Sequence, residues 1–144
     1  MIDERLMRRA LDLAAPRVGK TGDNPAVGCV LALGDAILGE GATAEGGSPH
    51  AEEQAIQAAG GGVEGATAYV TLEPCATRSK GGVACADLLI QARVKRVVIA
   101  TRDPHPNAGG AGIARLEAAG IELAFGVLEA EARAQNAAFF AKWD

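Results

Sequence analysis

Aromatic side chains are scarce, at 3% of 144 residues, and basic ones are outnumbered, 14 Lys and Arg against 18 Asp and Glu, for a formal net charge of -4. A nucleic-acid surface wants the reverse, cationic stripes for phosphates and ring faces on which bases stack. A small molecule is therefore the expected partner, and nucleic acid is not. No apolar run approaches the roughly 20 residues that cross a bilayer. The charged start, Met1-Ile2-Asp3-Glu4-Arg5, leads straight into an amphipathic pattern and does not read as a secretory signal. No membrane association is expected, and a cytoplasmic location is. Cysteines number three, which suits metal or core roles better than a disulfide framework. Repeats, low-complexity tracts and linkers are also missing. With 49% hydrophobic and 22% charged residues, the expectation is one globular domain over 1–144, with no second domain.

The hydrophobic pattern alternates between strand and helix. Leu6, Ala10, Leu13 and Ala14 share a helical face from Asp3 to about Ala15, and Pro16 ends that helix. Val27–Leu33 reads as a buried strand, Gly34-Asp35 as a turn, and Ala36–Gly41 as its paired strand. A helix from His50 to Ala59 stops at three glycines. Strand Ala68–Leu72, helix Cys85–Ala92 and strand Val94–Thr101 follow, then helix Ile113–Ala119, strand Ile121–Phe125 and a closing helix from Leu128 to about Phe140. The fold class expected is α/β: a three-layer α/β/α sandwich with a mixed sheet of about five strands.

Within that frame, His50-Ala51-Glu52 opens one helix, a strand ends in Glu73-Pro74-Cys75, and Cys85 opens the next helix. Residues two apart on a helix face different ways, but in a first turn whose axis points at one spot both can reach it. A thiolate at a helix N-terminus is stabilised by the helix dipole. One imidazole and two thiolates hold zinc and leave a fourth position for water, while a neighbouring carboxylate that is no ligand moves protons. His50, Cys75 and Cys85 are thus the expected Zn2+ ligands and Glu52 the catalytic acid–base, in a hydrolytic deaminase. Backbone groups of Pro74 and Cys75 are candidates to orient water and the leaving amine. Singly, each residue has a plain reading: a polar first-turn His, a solvated Glu, small core cysteines such as Cys29. Asn24 presents a donor and an acceptor to a heterocycle edge, or is an ordinary turn residue before Pro25. His105, between two prolines, suits either a substrate lip or a surface loop.

The chain resembles the deaminase half of the riboflavin-biosynthesis deaminase–reductase family (diaminohydroxyphosphoribosylaminopyrimidine deaminase), within the cytidine-deaminase-like superfamily. The resemblance rests on Gly19-Lys20-Thr21, Asn24-Pro25, Val27-Gly28-Cys29-Val30, His50-Ala51-Glu52 and the run from Gly65 to Cys75. Asp103-Pro104, Pro106, Gly110, Gly112, Ala118–Ile121, Asn136 and Phe139 extend it almost to the end. Nine residues separate Cys75 from Cys85, where many relatives have two. By resemblance the substrate is an aminopyrimidine bearing a ribosyl phosphate, bound by Asn24 and Asp103. A homodimer is implied as well, with reduction left to a separate reductase.

The chain departs from that family at Asp23, where a Pro usually precedes Asn-Pro, and at Thr43, where a His is usual. Its Ala76–Ala84 loop is rewritten and one residue longer. Arg78 and Lys80 in that loop are candidates to bind the phosphate, or are solvated charges. Two alternatives stay open: a deaminase of another nucleobase-like amine, and a zinc-stabilised binding domain without activity.

Overall fold

A computed structural model describes residues 2–76, 83–105 and 109–143. Its elements in chain order are α1 (Ile2–Ala14), β1 (Gly28–Leu33), β2 (Ala36–Ala42), α2 (Ala51–Ala59) and β3 (Thr67–Val70). They continue with α3 (Cys85–Gln91), β4 (Arg96–Ile99), α4 (Ala111–Ala118), β5 (Glu122–Phe125), α5 (Glu129–Gln135) and α6 (Ala137–Ala141). The five strands form one sheet in the order β2-β1-β3-β4-β5. β1 is antiparallel to both β2 and β3, and β3, β4 and β5 run parallel. The mixed sheet between helices matches the expected class.

Alternation along the strands assigns the two faces. Cys29, Leu31, Ala68, Val70, Val97 and Ile99 pack with Ala51 and Ala55 of α2, Ala86 and Leu89 of α3, and Ile113 and Leu116 of α4. Val30, Ala32, Tyr69 and Val98 point the other way, onto Leu6, Met7, Ala10 and Leu11 of α1 and Ala132 of α5. Cys29 is a buried, free thiol within the first of these clusters. Glycines let helices sit close. A Cβ on Gly28 would lie 1.8 Å from the Ala10 carbonyl oxygen, and one on Gly41 would lie 2.5 Å from that of Ala51.

Three expected elements end elsewhere. The strand expected over Ala68–Leu72 ends at Val70, because Thr71 N–H donates to Gly28 O whereas Glu73 N–H donates to Thr101 O. The chain changes neighbours there and leaves the ladder. β4 is shorter than Val94–Thr101 for the same reason, since its partner β3 supplies only Thr67 to Val70. The single closing helix is two, α5 and α6, broken at Asn136, whose φ of -113° and ψ of 40° are not helical. Among the described residues no helix is long and apolar enough to cross a membrane.

α1 is pinned to the sheet by Asp3. Its carboxylate accepts from both terminal nitrogens of Arg96 on β4, at 3.1 and 2.8 Å, and from Tyr69 Oη at 2.8 Å. The Arg96 guanidinium holds the Asp3 carboxyl below its ordinary value. A depressed carboxyl adds stability that is present above the unfolded-state value and is lost as pH falls through the folded one. Asp3→Asn should therefore cost about 1 kcal/mol at neutral pH, the site being partly exposed. Urea titrations at pH 7 and near pH 3 check this, since the deficit should shrink at the lower pH. Gly28→Ala should cost more, about 3 kcal/mol, because Ala10 backbone cannot move aside without lifting α1.

Candidate active site

The site lies where β3 ends, beside the start of β1 and the end of β2. His50 is the residue just before α2, with an extended backbone (φ -74°, ψ 163°). Glu53 Oε1 accepts from the His50 N–H at 3.3 Å, which closes the first turn. Glu52, in that turn, is only 4% exposed. Cys85 is the first residue of α3, whose second N–H, from Ala86, donates to the Cys75 carbonyl at 3.0 Å. That bond folds the chain from the end of β3 back onto α3, across ten intervening residues of sequence.

His50 Nδ1 stands 3.3 Å from Cys85 Sγ and 3.9 Å from Cys75 Sγ. The three donor atoms all lie within 4.8 Å of one another. Tetrahedral zinc with ordinary Zn–S and Zn–N bonds would set a sulfur–nitrogen edge of about 3.5 Å, between the two spacings found. One imidazole and two cysteine sulfurs are a chemical match for zinc as well. The Cys85 backbone N–H donates to Cys75 Sγ at 3.2 Å. The Cys75 thiol is drawn down to about 4, chiefly by its hydrogen bond with the Cys85 side chain and further by His50, against the opposing effect of burial. Burial pushes Glu52 up to about 7, and the negative charge of Cys75 adds to the rise. A carboxyl with that value can both take up and release a proton near neutrality.

Asn24 is tied to the loop that leads to His50. Its Nδ2 donates to Gly47 O at 3.2 Å, three residues ahead of His50, and its Oδ1 takes no part in that contact. A Cβ on Gly47 would come within 2.5 Å of Asn24 Nδ2, so the two loops touch closely. Thr43 is buried and structural: its Oγ1 accepts from the Val27 N–H at 3.0 Å. Asp103 Oδ1 accepts from the His105 N–H at 2.9 Å, an Asx turn that shapes its own loop. The His105 ring packs on Trp143, with centroids 4.4 Å apart. Arg78 and Lys80 lie outside the described residues. The carbonyls of Pro74 and Cys75 face protein: the first abuts Gly112, and the second receives Ala86 N–H.

Two residues that hold the site together carry no sequence signal of the expected kind. Glu73 is buried, at 5% exposure, and its carboxylate accepts from the N–H groups of Asp103, Gly110, Gly112 and Ile113. It thereby caps α4 and fastens the loop before it to the turn that carries Cys75. Asn136 accepts from the Ala26 N–H at 2.9 Å and donates to the Ala26 carbonyl at 2.8 Å. A poor helix former within a helical pattern, and a place among the residues that carry the family resemblance, were the hints of it.

Residues 1–101 match the family model of the cytidine and deoxycytidylate deaminase zinc-binding region. Riboflavin biosynthesis protein RibD of Aquifex aeolicus is 47% identical over 139 residues, which are 96% of this chain and 39% of that protein. The solved structure of RibD from Acinetobacter baumannii superposes with a TM-score of 0.92 at 42% identity, over 99% of this chain and 40% of that one. A diaminohydroxyphosphoribosylaminopyrimidine deaminase/5-amino-6-(5-phosphoribosylamino)uracil reductase from Thermotoga maritima does so with a TM-score of 0.92 at 40% identity, over 99% of this chain and 41% of that one. The chain thus spans about two fifths of the length of these relatives. A family model that runs through His50, Glu52, Cys75 and Cys85, on a fold that gathers them at one point, places the chain in the zinc-binding cytidine and deoxycytidylate deaminase family.

Proposed function

We propose that the chain is a zinc-dependent hydrolytic deaminase of a phosphoribosylated diaminopyrimidine, of the kind used in riboflavin biosynthesis. The observation that carries this reading is the convergence of His50 Nδ1, Cys75 Sγ and Cys85 Sγ within 4.8 Å, with the buried Glu52 beside them. The substrate assignment is supported by relatives of 40–47% identity that bear riboflavin-pathway names. His50, Cys75 and Cys85 would hold the zinc, which supplies a Lewis acid that brings a water toward ionisation near neutral pH.

The chain's own residues do the rest. Glu52 takes a proton from the attacking water as its oxygen bonds to the amine-bearing ring carbon. It passes that proton to the adjacent ring nitrogen. It then carries the remaining hydroxyl proton of the adduct to the amine, so that the C–N bond breaks and ammonia leaves as the carbonyl forms. Asn24, fixed against Gly47, presents its amide to the pyrimidine edge. Asp103 is assigned to the substrate as well, and Arg78 and Lys80 to its ribosyl phosphate. The family resemblance supports a cytoplasmic homodimer.

The purified protein should carry about one zinc per chain, and Cys85→Ser should lose it, as read by elemental analysis. Glu52→Gln should keep its zinc but release ammonia at least about 100-fold more slowly. Ammonia release from diaminohydroxyphosphoribosylaminopyrimidine, with cytidine, cytosine, guanine and adenosine as competitors, tests the substrate. Turnover of one of the latter alone would overturn the substrate assignment, and undiminished release by Glu52→Gln would overturn the proton relay.

A further inference from the structure

The break between α5 and α6 has a counterpart 110 residues away. Asn136 leaves the helical conformation, and its amide turns inward, 9% exposed, to saturate both backbone polar groups of Ala26. An interrupted helix forgoes backbone hydrogen bonds, so the inward amide must return something for the exchange. Ala26 is not yet in β1, which begins at Gly28. It lies two residues from Asn24, whose own backbone is held locally by Thr21: the Asn24 N–H donates to Thr21 O at 3.2 Å, and the Asn24 carbonyl accepts from Thr21 Oγ1 at 2.6 Å. The next two residues are held by side chains in the same manner. Val27 N–H donates to Thr43 Oγ1 at 3.0 Å, and Gly28 N–H donates to Thr71 Oγ1 at 3.0 Å. Thr43 and Thr71 lie next to the strands that carry the site. Asn136 comes from late in the chain and, of these three anchors, holds the residue nearest Asn24.

We infer that Asn136 is a positioning residue for substrate binding: its reciprocal pair with Ala26 fixes the Asn24-Pro25 segment against the Gly47 loop, so that the Asn24 amide meets the substrate edge already oriented. This rests on the reading of Asn24 as a substrate contact. The Asn136 side chain bonds Ala26, which belongs neither to the zinc donors nor to the proton relay, so its loss should weaken binding and leave the metal and the chemical step in place. A pre-formed contact lowers KM without raising kcat.

The experiment is a double-mutant cycle of Asn136→Ala and Asn24→Ala, with zinc content, KM and kcat measured on diaminohydroxyphosphoribosylaminopyrimidine. Asn136→Ala should raise KM by about tenfold with kcat changed less than about twofold and zinc retained. In the Asn24→Ala background the same substitution should add little, because its effect passes through Asn24. Amide hydrogen exchange, which needs no turnover, should quicken over residues 20–27 in Asn136→Ala, with the α2 and α3 segments unchanged. Multiplicative KM effects of the two substitutions, loss of zinc, or uniform quickening of exchange would overturn the proposal and leave Asn136 a general stability residue. If Asn24→Ala itself leaves KM unchanged, the Asn24 reading fails instead, and exchange over residues 20–27 alone decides whether the clamp exists.

Discussion

A single buried carboxylate holds the turn on which the site depends. Glu73 immediately precedes Pro74-Cys75, and its two oxygens are spread over four backbone N–H groups from the loop at Asp103 and the start of α4. Taking a carboxylate out of water is costly unless donors replace the solvent. Three of the donors, from Gly110, Gly112 and Ile113, are N–H groups that a helix start leaves unpaired, at the end whose dipole favours negative charge. Each group thus removes the other's penalty. Gly112 is part of the same arrangement: a Cβ there would lie 1.8 Å from the Pro74 carbonyl oxygen, so only glycine lets α4 approach the turn this closely.

From that fixed turn the remaining geometry follows by short steps. α2 lies close on β2 because small residues face each other, with a Cβ on Gly39 only 2.2 Å from the Ala55 carbonyl oxygen. Close packing brings the start of α2 to the level of the β3 end, and with it His50 and Glu52. α3 is drawn to the same place by the bond from Ala86 N–H to the Cys75 carbonyl. Two helix starts therefore face one pair of sulfurs. The same enclosure that gathers the donors removes water from Glu52 and so raises its pKa, whereas at Cys75 the contacts with Cys85 and His50 outweigh burial and lower it.

Much of this was legible beforehand, for identifiable reasons. The faces of β1, β3 and β4 follow from strict alternation, as with Cys29 and Leu31 against Val30 and Ala32. The hairpin turn was marked by Gly34, whose φ of 62° suits glycine. Strand ends were not legible, because Val70 ends β3 only where the chain exchanges β1 for the segment at Thr101 as its neighbour. The break at Asn136 escaped the helical pattern because its cause, the backbone of Ala26, is 110 positions distant. Glu73 was visible as a residue before Pro-Cys, but its partners belong to a loop and helix that no local pattern connects to it.

The sequence by itself determined which donors exist and which secondary element each would start or finish: an imidazole and a carboxyl at one helix start, a thiol after a strand, a thiol at the next helix start. Such assignments follow from propensity and periodicity, which act over a few residues. That the donors meet was decided only in three dimensions. His50 is 25 positions from Cys75 and 35 from Cys85, and it reaches them because β3 enters the sheet beside β1 and leaves α2 and α3 on one face. Alternation tells a strand which side to bury, but the neighbour it pairs with is chosen by the packing of the whole core.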